Sequence, residues 1–507
     1  MEERITIRGD RTVPFHNNVG YCVGTGRMGL ALHSEYPEQL QFVQEKIGFS
    51  YIRGHGLFCD DMAIYQEYTD ENGDAAAEYN FTYLDRVFDS YQKLSIRPFL
   101  ELGFMPEKLA SGTQTQFYWK GNVTSPADYD KWCGLVQATL RHLLSRYGEE
   151  EVLSWPIEVW NEPNLTGFWE NADMQEYFKL YTRTVYAVKE VHPEFQVGGP
   201  AICGGNDEVW MNGFLTYCSE NDVPLDFITR HHYTIDVPER NGHYGYAELY
   251  TSEYAFSTLE NCRKIIESYG KCKDIPFYIT EFNTAYIPNC PLHDTNENAA
   301  YLARMLSEIG DYCTGYSYWT FGDVFEEQGV PFTPFYGGFG LVANGGIPKP
   351  TFWVFQFYKQ LQGQCLYRDQ NMVAVQKEDG SLCGVAWNLS RETESEELKL
   401  HIHFPDLSGE YCFLKRIVDE TVCNPLKVWH DLGEPANLDE SQLAILREAS
   451  NPLVVTERKL ADRDGLHVEL LPGRNSVIFF EILDSEIKSD RGYDYERVYH
   501  HIDRRLE

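Results

Sequence analysis

The sequence has no run of about eighteen apolar residues, the length that a membrane-spanning helix needs. It has no apolar stretch near its start either. Residues 1–14 are charged from the second position, so we expect no secretory leader and a cytoplasmic protein. The thirteen cysteines are scattered from Cys22 to Cys423 without a C-x-x-C pair, which argues against a disulfide framework and for buried free thiols. Positive charge is scarce. Lys+Arg number 43 against 77 Asp+Glu, a net charge of −34. Nucleic acid and anionic membrane are polyanions, so neither is expected as a partner. Disorder is excluded, because 43% hydrophobic and 14% aromatic residues suffice for a large core.

What is present is an alternation of short apolar runs with helical stripes. Eight strands are expected at 21–25, 51–55, 97–103, 156–160, 195–200, 225–231, 277–280 and 315–321. Each is nearly continuous in apolar or aromatic residues, as strands buried on both faces are. Between them, Leu40, Val43 and Ile47 lie on one helical face, as do Tyr129, Trp132, Val136, Leu140 and Leu143. The second of these helices is expected to have Ser125 as N-cap, Pro126 at its first position and Gly148 past its end. Phe178, Tyr181, Val185 and Val188 form a third stripe, ended near His192-Pro193, and Ala299, Leu302, Ala303 and Leu306 a fourth. Eight such units indicate an α/β fold, a (β/α)8 TIM barrel; an open doubly wound sheet is the structural alternative.

After the last helical stripe, near 352–361, the period becomes two. Leu398, Leu400, Ile402 and Phe404 alternate with polar residues, and so do Leu466, Val468 and Leu470. That patterning predicts an antiparallel β-sandwich with one wet face. The expected division is a barrel over 14–362, an accessory β-sandwich from 1–13 and 363–484, and a charged, helical tail over 485–507.

Barrel chemistry sits at the C-terminal ends of the strands. Glu162 follows the fourth strand in I-E-V-W-N-E-P-N, where Pro163 cannot continue the pairing. Glu281 ends the seventh in Y-I-T-E-F-N-T. Strands four and seven are three positions apart on a ring of eight, so the two carboxylates face each other across the mouth. Glycoside hydrolysis needs such a pair, one as proton donor and one as an ionised partner. Each glutamate alone reads equally as a loop or capping residue; both in this register do not.

V-W-N-E-P-N at 159–164 and I-T-E-F-N-T at 279–284 resemble the glycoside hydrolase clan of (β/α)8 barrels. G-T-G-R-M-G-L-A-L at 24–32, Y-I-R-G-H-G-L at 51–57, Q-V-G-G-P-A-I-C-G-G at 196–205 and S-Y-W-T-F-G-D-V-F-E-E at 317–327 narrow the resemblance to glycoside hydrolase family 39, in particular its bacterial β-xylosidases. The likeness spans roughly 18–360. It implies a retaining, exo-acting hydrolase of β-1,4-linked xylo-oligosaccharides or other β-xylosides, with Glu162 as acid/base and Glu281 as nucleophile. It further implies that Asn161 holds the sugar 2-OH, that Trp319 forms the floor under the sugar, and that Glu326 and Glu327 bind hydroxyls. His55, Phe117, Phe168, His231, Tyr233 and Tyr286 match other pocket positions. The implied partner is a small neutral saccharide, and the implied assembly a homo-oligomer, tetramers being frequent in the family.

Two residues depart from the family pattern. His232 stands where a small residue is expected; as a strand neighbour of His231 it should point away from the pocket. Phe282 replaces a more usual tyrosine beside the nucleophile. The alternative reading keeps the fold and the mechanism but changes the glycone or aglycone: an arabinopyranoside, glucoside, galactoside or saponin. Uronide hydrolysis is disfavoured by the −34 charge and by Glu326-Glu327. A catalytically dead sugar-binding barrel is disfavoured by the intact glutamate pair. No metal and no cofactor are expected. Gly24-Thr25-Gly26-Arg27-Met28-Gly29 fits G-x-G-x-x-G, but no helix opens directly on it and no acidic residue ends a strand about twenty residues on. His231-His232 and His500-His501 lack the spacing of metal pairs.

Overall fold

In the computed structural model, which describes residues 2–390, 397–485 and 492–499, eight parallel strands close into a barrel. In chain order they are Cys22–Arg27, Tyr51–His55, Arg97–Leu102, Ile157–Val159, Val197–Ile202, Phe227–Tyr233, Phe277–Asn283 and Gly315–Tyr318. The eighth pairs with the first, Ser317 opposite Cys22, and this closes the ring. Every expected strand is present, with ends shifted by up to three residues. No strand has a wet face, which is why the runs read as continuously apolar.

Helices cover the ring from outside. They are Glu35–Lys46, Thr82–Lys93, Tyr129–Tyr147, Met174–Val191, Asp207–Glu220, Ser252–Ser268, Asn296–Leu306 and Pro350–Lys359. The helix Tyr129–Tyr147 corrects one expectation. Its N-cap is Asp128, whose carboxylate accepts from the backbone N–H groups of Asp130 and Lys131. Ser125 and Pro126 lie before it, in an antiparallel bridge from Pro126 to Ala110. The serine and proline that suggested a helix start are consumed by a loop contact. Gly148 is the C-cap as expected, at φ 86°.

Two sheets follow the barrel. A six-stranded antiparallel sheet has the order Gln364–Arg368, Met372–Gln376, Leu382–Asn388, Ser476–Asp484, Glu410–Val418 and Leu453–Leu460. Against it lies a three-stranded sheet of Glu2–Thr6, Lys399–Phe404 and Leu466–Leu470. Leu400, Ile402, Phe404, Leu466, Val468 and Leu470 point into a shared core with Met372, Phe413 and Phe480. One pairing differs from the antiparallel expectation: Glu2–Thr6 runs parallel to Lys399–Phe404, with Ile5 opposite Ile402. The other face of the six-stranded sheet packs on the barrel; the Phe357 ring of the last barrel helix stacks on Phe479 at 5.2 Å. Two helices without a counterpart in the sequence reading, Pro425–Asp431 and Glu440–Ala449, enclose a small core with Phe335 and Ile347. Of the expected tail, the short helix Tyr495–Tyr499 is described; most of the rest lies outside the described residues.

All thirteen cysteines are free, ten of them buried. No helix among the described residues is long and apolar enough to cross a membrane.

Candidate active site

The fourth, sixth and seventh strands bring three ionisable side chains together at the barrel mouth. The chain turns sharply after the fourth strand. Trp160 and Glu162 have φ of 73° and 44°, and the Glu162 N–H donates to the Ala201 carbonyl at 2.9 Å. That turn aims the Glu162 side chain inward. His231 Nδ1 lies 2.8 Å from Glu162 Oε1 and 3.4 Å from Glu281 Oε2. One oxygen of Glu162, one of Glu281 and a His231 nitrogen lie within 4.8 Å of one another.

The two carboxylates have different surroundings. Arg53 Nη1 donates to Glu281 Oε1 at 2.7 Å and the Tyr233 hydroxyl donates to Oε2 at 2.7 Å. Two donors therefore fix both oxygens of Glu281. Among the described residues, no lysine or arginine forms an ion pair with Glu162. Burial, and next the charge of Glu281, hold its pKa well above the ordinary carboxylate range. Burial, then the nearby Arg53 charge, keep His231 far below its usual pKa, so its ring is neutral. A neutral imidazole suits both states of Glu162. Nδ1–H donates to the carboxylate, and the other tautomer accepts from the protonated acid.

Arg53 is the hub of the site. Besides Glu281 it reaches Glu158 Oε2 at 2.6 Å, Asn161 Oδ1 at 3.0 Å and Glu101 Oε2 at 3.0 Å. Glu101 also binds His55 Nδ1 at 2.7 Å. One guanidinium thus serves three buried carboxylates from three strands. Burial works against its charge, but Glu158, Glu101 and Glu281 outweigh that and keep it protonated. Glu162, His231 and Glu281 have a spacing that a metal ion could use. Arg53 already supplies the positive charge there, and the two oxygens of Glu281 are occupied.

Aromatic rings wall the cavity. Trp319 lies 4.7 Å from the His55 ring and is almost fully buried. Phe117 lies 5.9 Å from His55, 5.1 Å from Trp119 and 5.3 Å from Phe168. The glycine-rich string explains how Trp319 fits. A Cβ at Gly24 would sit 2.3 Å from Trp319 Cε3, and one at Gly26 would sit 3.0 Å from Phe325 Cδ2. These glycines make room for the rings of the site rather than for a phosphate.

The profile of the family described as glycosyl hydrolases family 39 matches residues 4–466. The chain belongs to this family. It is 49% identical over 477 residues to a β-xylosidase of Geobacillus stearothermophilus, covering 92% of this chain and 93% of that protein. To a β-xylosidase of Caldicellulosiruptor saccharolyticus it is 37% identical over 461 residues, 88% and 91% of the two chains. The crystal structure of a monomeric β-xylosidase from Caulobacter crescentus superposes with a TM-score of 0.87 at 31% identity, over 95% of this chain and 99% of that one.

Within this family 39 site the expected residues fall in three groups. Glu162, Glu281, Asn161, His55, His231, Tyr233, Trp319 and Glu327 converge. Glu327 Oε1 is 4.0 Å from His55 Nε2, and burial followed by the charge of Glu281 raises its pKa well above the usual range. Phe117, Phe168 and Tyr286 form the wall and rim, Tyr286 being 42% exposed and edge-on to Tyr233 at 6.4 Å. Glu326 turns aside: its Oε2 accepts from Arg27 Nη2 at 2.8 Å. His232 is buried behind the strand, 3.4 Å from Arg230 Nη1, as alternation requires. Phe282 likewise points outward, packing edge-on against Tyr316 and Tyr318. Arg53, Glu101 and Glu158 escaped the sequence reading. Their signal was a charged residue inside a strand that is otherwise apolar on both faces, a position tolerated only when charges pair.

Proposed function

We propose that this chain is a retaining, exo-acting β-xylosidase. Its substrates are xylo-oligosaccharides or other β-xylosides, cleaved at the non-reducing end. The observation that carries the reading is the near full-length 49% identity to a β-xylosidase. The arrangement of the two glutamates supports the mechanism. Retaining glycosidases hold their carboxyl groups about 5–5.5 Å apart, against about 6.5–9.5 Å for inverting ones. A carboxylate oxygen of each glutamate within 4.8 Å of the other favours the first class.

In this reading Glu281, fixed by Arg53 and Tyr233, attacks the anomeric carbon as the glycosidic bond breaks and forms a covalent glycosyl ester. Glu162 gives its proton to the leaving oxygen. Esterification removes the Glu281 charge, so the pKa of Glu162 falls and it can take a proton from the incoming water. Asn161, held by Arg53, is placed for the sugar 2-OH, and Trp319 for the ring face. Self-association belongs to the same reading. Strand Leu453–Leu460 ends the six-stranded sheet with Leu453, Val454 and Leu460 exposed, an edge that a second copy would cover.

A panel of nitrophenyl glycosides tests the substrate. The β-xyloside should be the best member; preference for an arabinopyranoside, glucoside or galactoside would move the assignment to that sugar. Two variants test the roles. Glu281→Gly should abolish turnover of every member. Glu162→Ala should spare aryl xylosides with good leaving groups far more than xylobiose. Equal loss on both substrate types would count against Glu162 as the acid.

A further inference from the structure

A second cluster of buried charges lies beneath the floor of the site, and the reaction as described makes no use of it. Lys349 Nζ is 2.7 Å from Asp294 Oδ1, 2.7 Å from Asp323 Oδ2 and 2.7 Å from the Gly338 carbonyl. All three side chains are almost completely inaccessible. The ammonium donates to the carbonyl and pairs by charge with the two carboxylates.

The other oxygens of the cluster grip one segment. Asp294 Oδ2 accepts from the Gly337 N–H at 2.7 Å, and Asp323 Oδ1 from the Gly340 N–H at 2.7 Å. His293 Nδ1 lies 2.9 Å from the Gly337 carbonyl. The segment Tyr336-Gly-Gly-Phe-Gly340 passes so close that side chains are excluded at Gly338 and Gly340. A Cβ at Gly338 would lie 2.4 Å from Asp323 Oδ1, and one at Gly340 would lie 2.4 Å from the Gly322 carbonyl carbon.

Within the segment, Phe339 packs with Trp319 and Phe325. The carbonyl of Phe339 accepts from Asn283 Nδ2 at 3.2 Å, and the same amide donates to the Trp319 carbonyl at 2.6 Å. The Phe339 ring packs edge-on against Phe325 at 5.3 Å and Trp319 at 6.5 Å. Asp323 and Gly340 bracket the loop that carries Phe325 and Glu327 over the pocket, and Tyr336 ties back to the Asp323 carbonyl at 3.2 Å.

We propose that Lys349, Asp294 and Asp323 are positioning residues. Through the Gly337–Gly340 backbone and Phe339 they set the place of Trp319 and Glu327, and so the fit of the sugar in the pocket. The inference rests on the glycosidase reading of the site. A buried ion cluster is weak evidence for added stability, because desolvation offsets the attraction. A specific geometry is what it supplies here.

Asp323→Asn is the first test. The amide keeps an oxygen for the Gly340 N–H but presents donors to the Lys349 ammonium, which should displace the segment. KM for nitrophenyl β-xyloside should rise about tenfold, because a displaced Trp319 and Glu327 weaken the binding of substrate and transition state alike. kcat should change less than about threefold, and the limbs of the pH profile of kcat/KM should not move, because Glu162 and Glu281 are untouched. Phe339→Leu, which leaves the charges in place, should give the same split. Assays run well below each variant's Tm. A lowered Tm with unchanged KM in a folded Asp323→Asn enzyme means a structural role only and overturns the proposal. If Asp323→Asn does not fold, Phe339→Leu decides alone, and an unchanged KM there breaks the relay. Loss of all turnover in wild type would instead overturn the glycosidase reading.

Discussion

At the scale of single residues, Arg53 decides more of the site than either glutamate. It sits in the second strand at zero exposure and bonds to three carboxylates and to Asn161. Its planar fork does this because the donors diverge in one plane; an ammonium of the same charge cannot reach four acceptors in those directions. Arg53→Lys therefore separates geometry from charge. We expect kcat/KM to fall by about 10²–10³, as when one preorganised electrostatic contact is lost. We also expect a drop in Tm, because Glu158 and Glu101 would be left partly unpaired in the core. Steady-state kinetics and thermal unfolding check both. Activity within about threefold of wild type would show that net charge alone is what Glu281 requires.

At the scale of elements, the eight strands were legible because burial on both faces removes the ambiguity of a short apolar run: each was nearly continuous in apolar or aromatic residues, and four of the helices between them carried clean stripes. The two glutamates were legible for the same reason, since strand count alone puts Glu162 and Glu281 on facing sides. What escaped was whatever depends on distant pairing. The parallel match of Glu2–Thr6 to residues 399–403 has no local signal. Ser125-Pro126 imitates a helix start while serving a bridge to Ala110, and Asp128, three residues on, does the capping. The glycines of the first strand were legible as a motif but not as to purpose. Their role gives an element-scale prediction. Gly24→Ala drives a methyl into the Trp319 ring, whose Cε3 lies 2.3 Å from the ideal Cβ, and the ring is too buried to yield freely. We expect about 1–3 kcal/mol of destabilisation, the usual range for overpacking, together with a higher KM. Gly270→Ala, where nothing lies within 4 Å of the added methyl, is the matched control and should be near neutral. Equal unfolding free energies for the two variants would remove Gly24 from the support of Trp319.

At the scale of the whole molecule, acidity acts in two ways that pH separates. The net charge of −34 repels itself at neutral pH, and protonation relieves this diffusely. The buried acids act at defined positions. Glu162 and Glu327 both have folded-state pKa values raised well above the usual range, chiefly by burial and then by Glu281. A raised pKa means that the folded state binds the proton more tightly than the unfolded chain. The stability from each such group is complete below the unfolded value, about 4.3, and is lost as pH rises from there through the folded value. Each of these two acids should therefore cost stability as pH rises above about 4.3, while His231, His232 and His293, whose pKa values burial lowers, act in the opposite sense up to their unfolded value of about 6.5. Each buried acid contributes a slope approaching 1.4 kcal/mol per pH unit while it is protonated only in the folded state. Diffuse repulsion and the buried histidines bend the same curve, so wild type alone cannot isolate one acid. Glu327→Gln can. The amide does not titrate, it leaves nearly all of the surface charge unchanged, and it removes the Glu327 proton alone. Urea unfolding of both proteins between pH 5 and 8 should show the variant gaining stability relative to wild type as pH rises, with the curves converging toward low pH, where Glu327 is protonated in both states. Parallel curves across that range would mean that Glu327 is ionised in the folded enzyme.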